Sequence, residues 1–389
     1  APLSPQKISA FDLFMGRIYE LTSEKILQTD SLRQTSDEKD GANPKSAQYC
    51  HSLNPESRTL NTSLKVMKKI IKIGLKITLH TLGWVIILVI LFYVGYISLL
   101  NADGITGDDG VATGYFTKVD AQGKREKKYT QMWPNSVKIL TLESKNQDIK
   151  NWTIAYPKIL EEKTEHFPTV IMVNGTYTPA SDYLPVLEHL ASWGFIVVGN
   201  EDFQSGSGAS TALTLDFLLT LAKDKTSIFY NKIDLEHIGV NGHSQGGAGA
   251  INAVTNYENG KYYTSLYTVS PIPRNLAQHI MKPYDPSKIK IPYFMTSGLW
   301  IQDHILIATY WTLKENYDML PSSTFAIMAR RKEADHRDML EYADAYMTAW
   351  FLMTLKSDQE AQNVFIGENA ELFNTSNWQD TSIKGTPLK

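Results

Sequence analysis

The stretch Gly242-His243-Ser244-Gln245-Gly246 constrains this chain more than any other. It sets a serine between two glycines directly after an apolar run, 235–240, that reads as a buried strand. A serine placed there sits at the tip of a sharp strand-to-helix turn, in backbone geometry that a side chain adopts only under strain. The flanking glycines let strand and helix approach without a Cβ collision. Residues 247–251, Gly-Ala-Gly-Ala-Ile, are small enough for a helix packed closely on a sheet. The pattern is that of a nucleophile elbow; the competing reading is a glycine-rich turn that carries no chemistry.

Apolar, strand-like runs recur on both sides of the elbow. They fall at 137–142, 152–156, 169–173, 195–198, 265–269, 293–296 and 324–328, with helical patterns at 183–192, 212–222 and 340–355 between them. Such alternation predicts an α/β fold with a doubly wound, mostly parallel sheet over 129–389. With 43% hydrophobic and 11% aromatic residues among 389, the chain can build a substantial core. A net charge of -3 gives no basic excess for nucleic acid, and no His/Cys spacing suggests a metal. Cys50 is the only cysteine, so packing rather than an internal disulfide must hold the fold.

Residues 77–100 carry no formal charge apart from a possible one on His80 and are long enough to cross a hydrocarbon core of about 30 Å. Lys65, Lys68, Lys69, Lys72 and Lys76 precede them, whereas Asn101 and Asp103 follow. The positive-inside rule then places the N-terminus in the cytoplasm and everything after residue 100 outside a cell membrane. A buried core helix or a cleaved signal peptide would be the alternatives; the length and the all-round apolarity favour a retained anchor. Upstream, Phe11, Phe14, Ile18 and Leu21 recur at helical spacing, but 29–63 is polar, so 1–66 reads as largely disordered and 67–100 as basic flank plus anchor. Met67-Lys68-Lys69 resembles the start of a bacterial signal-anchor, which gives the expectation that translation begins there; N-terminal sequencing of protein from its source tests it. Residues 101–128, rich in Gly, Asp and Lys, read as a tether.

A serine hydroxyl is a weak nucleophile at neutral pH and needs a base with a pKa near about 6.5, which points to histidine. In the α/β-hydrolase arrangement the order is serine, acid, histidine, leaving His279, His304 and His336. His336 follows the last core strand, where a loop at the carboxyl edge of the sheet reaches back to the elbow. Asp303 is the first carboxylate after the strand 293–296 and is the expected acid; Asp318 and Asp335 are the less suitable choices. His243 is expected to support the elbow by packing. For the oxyanion, one N–H should come from Gln245 and the other from the loop 174–178, with Thr176 or Tyr177 as donor. Tyr177 and Trp300 are expected to hold the apolar part of a substrate.

Tyr156-Pro157, the loop 174–178, the segment Leu190-Ala191-Ser192-Trp193-Gly194-Phe195-Ile196-Val197-Val198, the elbow with Gly247, and Ala345-Tyr346 through Trp350 together resemble bacterial cutinase-like polyester hydrolases and dienelactone-hydrolase-related esterases. The resemblance covers roughly 151–373. It implies carboxylic-ester hydrolysis through an acyl-enzyme, with Ser244, Asp303 and His336 as triad and no cofactor. Two departures stand out: Thr176 is inserted where the family runs from glycine straight to an aromatic residue, and the acid loop 297–303 is a residue longer. The expectation is therefore a membrane-anchored serine esterase acting on small or acyl-chain esters outside the cell. An acyltransferase or peptidase with the same triad, or a non-catalytic extracellular binding module, are the alternatives.

Overall fold

A computed structural model of the chain describes residues 55–102, with side chains over 65–93, and residues 111–386. The expected helical pattern around Phe11 and the polar stretch as far as residue 54 lie outside the described residues; residues 55–66, expected to be disordered, are helical instead. Two compact units, Ala1–Val89 and Ile90–Lys389, are taken in turn.

Helix α1 (Pro55–Ala102) opens on a proline, which suits the first turn because its missing N–H would have no helical acceptor there. Its segment Lys65–Tyr93 is long and apolar enough to cross a membrane, and none of that window is buried in the protein. Trp84 is 65% exposed and Phe92 71%, with Ile and Leu exposed on every side between them. A core helix would hide one of these faces. The two threonine hydroxyls of this stretch bond back to the carbonyls of Gly74 and Ile77, so neither needs an outside partner.

The second unit is built on a nine-stranded sheet in the order β1-β2-β4-β3-β5-β6-β7-β8-β9. Its strands are β1 (Val137–Glu143), β2 (Asn151–Pro157), β3 (Phe167–Val173), β4 (Ile196–Asn200), β5 (Ile233–His243), β6 (Tyr263–Val269), β7 (Tyr293–Gly298), β8 (Ala326–Arg331) and β9 (Trp378–Lys384). From β4 to β8 every pairing is parallel; β1 and β2 at one edge and β9 at the other are antiparallel. The parallel strands are apolar on both faces because helices cover both sides. In β3, Val170 and Met172 join one core cluster while Ile171 and Val173 join the other, as the two-residue period of a strand requires.

The helices include α2 (Lys124–Tyr129), α3 (Leu184–Ser192), α4 (Ala209–Leu221), α5 (Gln245–Asn256), α6 (Arg274–Ile280), α7 (Tyr310–Met319), α8 (Met339–Tyr342) and α9 (Asp344–Lys356). The C-terminal helical pattern that the sequence predicts as one piece is broken at Ala343 into α8 and α9. Helix α9 is buried almost all round, and its Phe351 packs so closely on β5 that a Cβ at Gly239 would lie 2.7 Å from the ring. The expected tether is also corrected: within it Val111, Tyr115 and Glu126 are buried, and Tyr115 belongs to the core cluster of the domain. Glu126 of α2 meets Arg331 of β8 at 3.0 Å with both side chains buried. Strand β9 was not expected, because its sequence WQDTSIK is polar and bends through a positive φ at Asp380.

Candidate active site

The carboxyl ends of β3, β5, β7 and β8 converge on one edge of the sheet, where ligands bind in open α/β folds. At the end of β5, Ser244 has φ 56° and ψ -120°, the strained turn expected of the elbow. The glycines on either side are sterically required. A Cβ on Gly242 would lie 2.1 Å from the Gly246 carbonyl oxygen, and one on Gly246 would lie 2.1 Å from that of Val173.

Asp303 sits in a π-helical turn, Gln302–Leu306, after β7 and is fully buried. One carboxylate oxygen meets His336 Nδ1 at 2.7 Å. The other accepts the Gly298 N–H at 2.8 Å and a hydroxyl hydrogen bond from Ser270. Burial alone would raise this carboxyl's pKa, but the imidazole of His336, with Ser270 and Gly298, holds it below the usual value. The Asp303 carboxyl is therefore ionised across the neutral range, and it engages His336 through Nδ1.

Asp335, set aside in the sequence as an acid, instead ties the two loops together. Its side chain accepts the backbone N–H groups of Gln302 at 3.3 Å, Asp303 at 3.1 Å and His336 at 2.9 Å. The N–H groups of Leu299 and Trp300 also reach the Ala334 carbonyl. The other two candidate bases are elsewhere: His279 is exposed and bonded to the Asn275 carbonyl, and exposed His304 lies 3.2 Å from Arg330.

His243 does more than pack. The Tyr183 hydroxyl accepts the Gly175 N–H at 2.9 Å and lies 2.9 Å from His243 Nδ1, while His243 Nε2 lies 3.2 Å from the His336 carbonyl oxygen. A carbonyl can only accept, so Nε2 carries the hydrogen and Tyr183 donates to Nδ1. Burial, with His336 close by, pushes the His243 pKa down to about 3, which keeps this tautomer neutral. The network joins the loop after β3 to the elbow and to the loop that carries His336.

Two amides of the loop after β3 are already engaged. The Gly175 N–H is taken by Tyr183, and the Tyr177 N–H donates to the Phe203 carbonyl at 3.2 Å. Thr176 lines the cavity beside Ser244, whereas Tyr177 is 68% exposed and turned to an outer concavity with Phe203. Tyr177 is thus corrected both as donor and as wall, because its backbone, at φ 55°, turns it away. Gln245 opens α5, where the first amides have no helical acceptor. Trp300 is exposed and lies outside the cavity lining, a second correction.

Ser244, His336, Thr176, Tyr183 and His243 line one cavity of about 240 Å³. Among the described residues no hydrogen bond joins Ser244 to His336; in sites of this kind that bond commonly tightens only with substrate in place. No cluster of three or more His, Cys, Asp or Glu able to hold a metal occurs among the described residues. Sequence reading missed Ser270, Tyr183 and the role of Asp335. Ser270 was findable, since it directly follows β6 at the same sheet edge.

A protein-family model described as PETase, PET hydrolase-like, matches residues 134–268. This stretch carries β1 to β6, the 174–178 loop and Ser244, but it stops short of Asp303 and His336. No curated protein matches the chain.

Proposed function

We propose that this chain, an α/β-hydrolase, is a serine carboxylic-ester hydrolase in which Ser244 is the nucleophile, His336 the base and Asp303 the orienter. The observation that carries the reading is the pairing of buried Asp303 with Nδ1 of His336, which lines the same cavity as the strained Ser244. The similarity to PET hydrolase-like proteins over the nucleophile half supports an ester as the bond attacked.

The chemistry follows from the arrangement. Ser244 Oγ attacks the ester carbonyl carbon as its proton passes to His336 Nε2; the imidazolium is stabilised by Asp303 on the far nitrogen. Negative charge moves to the carbonyl oxygen, between the N–H groups of Thr176 and Gln245. The C–O bond to the alcohol then breaks, the alcohol takes the proton from His336, and an acyl-Ser244 remains. Water attacks the acyl carbon and gives a proton to His336; the bond from that carbon to Ser244 Oγ then breaks, His336 passes the water's proton to Oγ, and the carboxylic acid leaves.

The apolar exposed surface of α1 supports a single membrane anchor, and the lysines before it support a cytoplasmic N-terminus with the hydrolase outside. Protease shaving of intact cells that releases a hydrolase-sized fragment is the expected result; a protected fragment overturns that orientation. The enzymatic reading is tested by p-nitrophenyl butyrate turnover with the detergent-solubilised full chain. Turnover lost in Ser244→Ala supports it, and turnover equal in the two proteins overturns it.

A further inference from the structure

The residues that shape the apolar part of the cavity all lie outside the stretch that matches the PET hydrolase-like family. Val111, Ile272 and Leu340 are its buried walls, at 8%, 5% and 5% exposure, and Leu276 and Ile280 form a half-open rim on α6. Val111 is fixed there by its N–H, which donates to the Asp182 carbonyl at 2.8 Å. Ile272 is tied to the nucleophile itself, its N–H reaching the Ser244 carbonyl at 3.2 Å. The packed segment that precedes the matched region thus supplies one wall, and α6 and α8 supply the others.

Resting on the esterase reading, we propose that this cavity binds the acyl chain of the substrate and that the chain is aliphatic and about eight carbons long. Its size sets the length. A 150 Å³ apolar cavity holds one benzene, about six carbons, so 240 Å³ holds about eight to ten. The wall chemistry sets the class: Val, Ile, Leu and Met side chains make up most of the apolar wall, and the rings of Tyr183, His243 and His336 are the aromatic members of the lining. The hydroxyl of Tyr183, the one aromatic phenol of the lining, is occupied by Gly175 and His243. The charged lining residues, Asp182 and Arg337, are one of each sign, so the cavity offers no net charge to select a second carboxylate or an amine on the substrate. Thr176 and Ser244 line the same cavity as the aliphatic residues, so a carbonyl held at Ser244 has its chain beside that wall.

The test is a series of p-nitrophenyl esters from acetate to palmitate, with benzoate included, on the detergent-solubilised full chain, alongside fluorophosphonate titration of Ser244. We expect kcat/KM to rise by up to about fourfold per added methylene and to level off near eight carbons. Val111→Trp fills a wall, and Leu276→Trp narrows the rim at a partly exposed position that leaves the core untouched. Either substitution should lower the octanoate-to-butyrate ratio of kcat/KM at least tenfold. A titratable Ser244 with a profile that is flat, peaks at acetate or favours benzoate overturns the acyl-chain assignment while the esterase reading stands. A ratio unchanged in both variants overturns it equally. If no ester turns over and Ser244 does not titrate in folded protein, both readings fall.

Discussion

Tyr183 Oη lies 2.9 Å from His243 Nδ1, and through that contact the amide of Gly175 is linked to the carbonyl of His336. The 174–178 loop and the loop that carries His336 follow β3 and β8, strands that are not neighbours in the sheet. A buried hydrogen-bonded bridge fixes their separation without relying on loop packing alone. Replacing Tyr183 with Phe leaves the Gly175 N–H and His243 Nδ1 unpaired, at a cost of about 1–3 kcal/mol. The expected outcome is a lower melting temperature and a reduced kcat with KM little changed, measured by thermal unfolding and butyrate kinetics; unaltered values for both would show the bridge to be idle. Because His243 is neutral down to about 3, the loss should be the same at pH 6 and pH 9.

Two neighbouring carboxylates provide a contrast. Asp303→Asn retains the shape of the group but presents the wrong partner to His336 Nδ1, and kcat should fall by about 10⁴. Asp335→Asn disturbs only the backbone clamp between the loops and should cost far less. Steady-state kinetics of the pair decide the assignment, since the reverse ranking would transfer the orienting role to Asp335.

The oxyanion loop is open to a direct comparison of its residues. A Cβ at Gly175 would lie 2.9 Å from Tyr183 Oη and 3.1 Å from His243 Nδ1, so Gly175→Ala forces the bridge apart. Its kcat should drop by about 10² or more, in the range seen when one oxyanion donor is lost. Tyr177→Ala should leave kcat close to its original value, because that ring faces away from the cavity. Equal losses from both substitutions would return Tyr177 to the site.

Away from the site, His189 Nδ1 meets Asp344 Oδ2 at 2.6 Å, with both side chains buried. Burial alone would lower the histidine's pKa, yet the Asp344 carboxylate and the backbone carbonyls of Gln131 and Thr130 leave it raised. A raised folded value means that the contribution to stability is complete below the ordinary value of about 6.5 and disappears as pH climbs through the folded one. Wild-type protein should therefore lose its melting-temperature advantage over His189→Gln as the pH is raised above about 6.5. Asp303, whose folded value is depressed, acts in the opposite sense: its contribution is present above about 3.9 and fades in stronger acid. Melting curves across pH check both directions, and a His189→Gln deficit that grows with pH would contradict the first.

Much of this arrangement can be read from the residues because it depends on local rules. The elbow needs glycine at 242 and 246 for steric reasons, and the parallel strands announce themselves as apolar runs such as 169–173. The Ser-Asp-His order follows from which strand ends can meet. What escaped depends on contacts between distant segments. Nothing near Tyr183 says that its hydroxyl meets a histidine sixty residues on. The segment 111–128 looks like a tether because its charged residues dominate, and only the burial of Tyr115, Tyr129 and the Glu126–Arg331 pair shows that it is part of the domain. Tyr177 was misplaced since aromatic character suggests a wall, whereas its positive φ sends the ring outward. Strand β9 pairs at an edge, where a polar sequence suffices.

The central claim is that Ser244 is an activated nucleophile, and its most direct test is covalent. The detergent-solubilised full chain is treated with a fluorophosphonate probe at pH 7.5, digested, and the modified peptide identified by mass spectrometry. Stoichiometric modification at Ser244, absent in Ser244→Ala and strongly slowed in His336→Ala, is the expected result. A folded chain that remains unmodified, or that is modified at some other residue, contradicts a serine hydrolase working through this elbow.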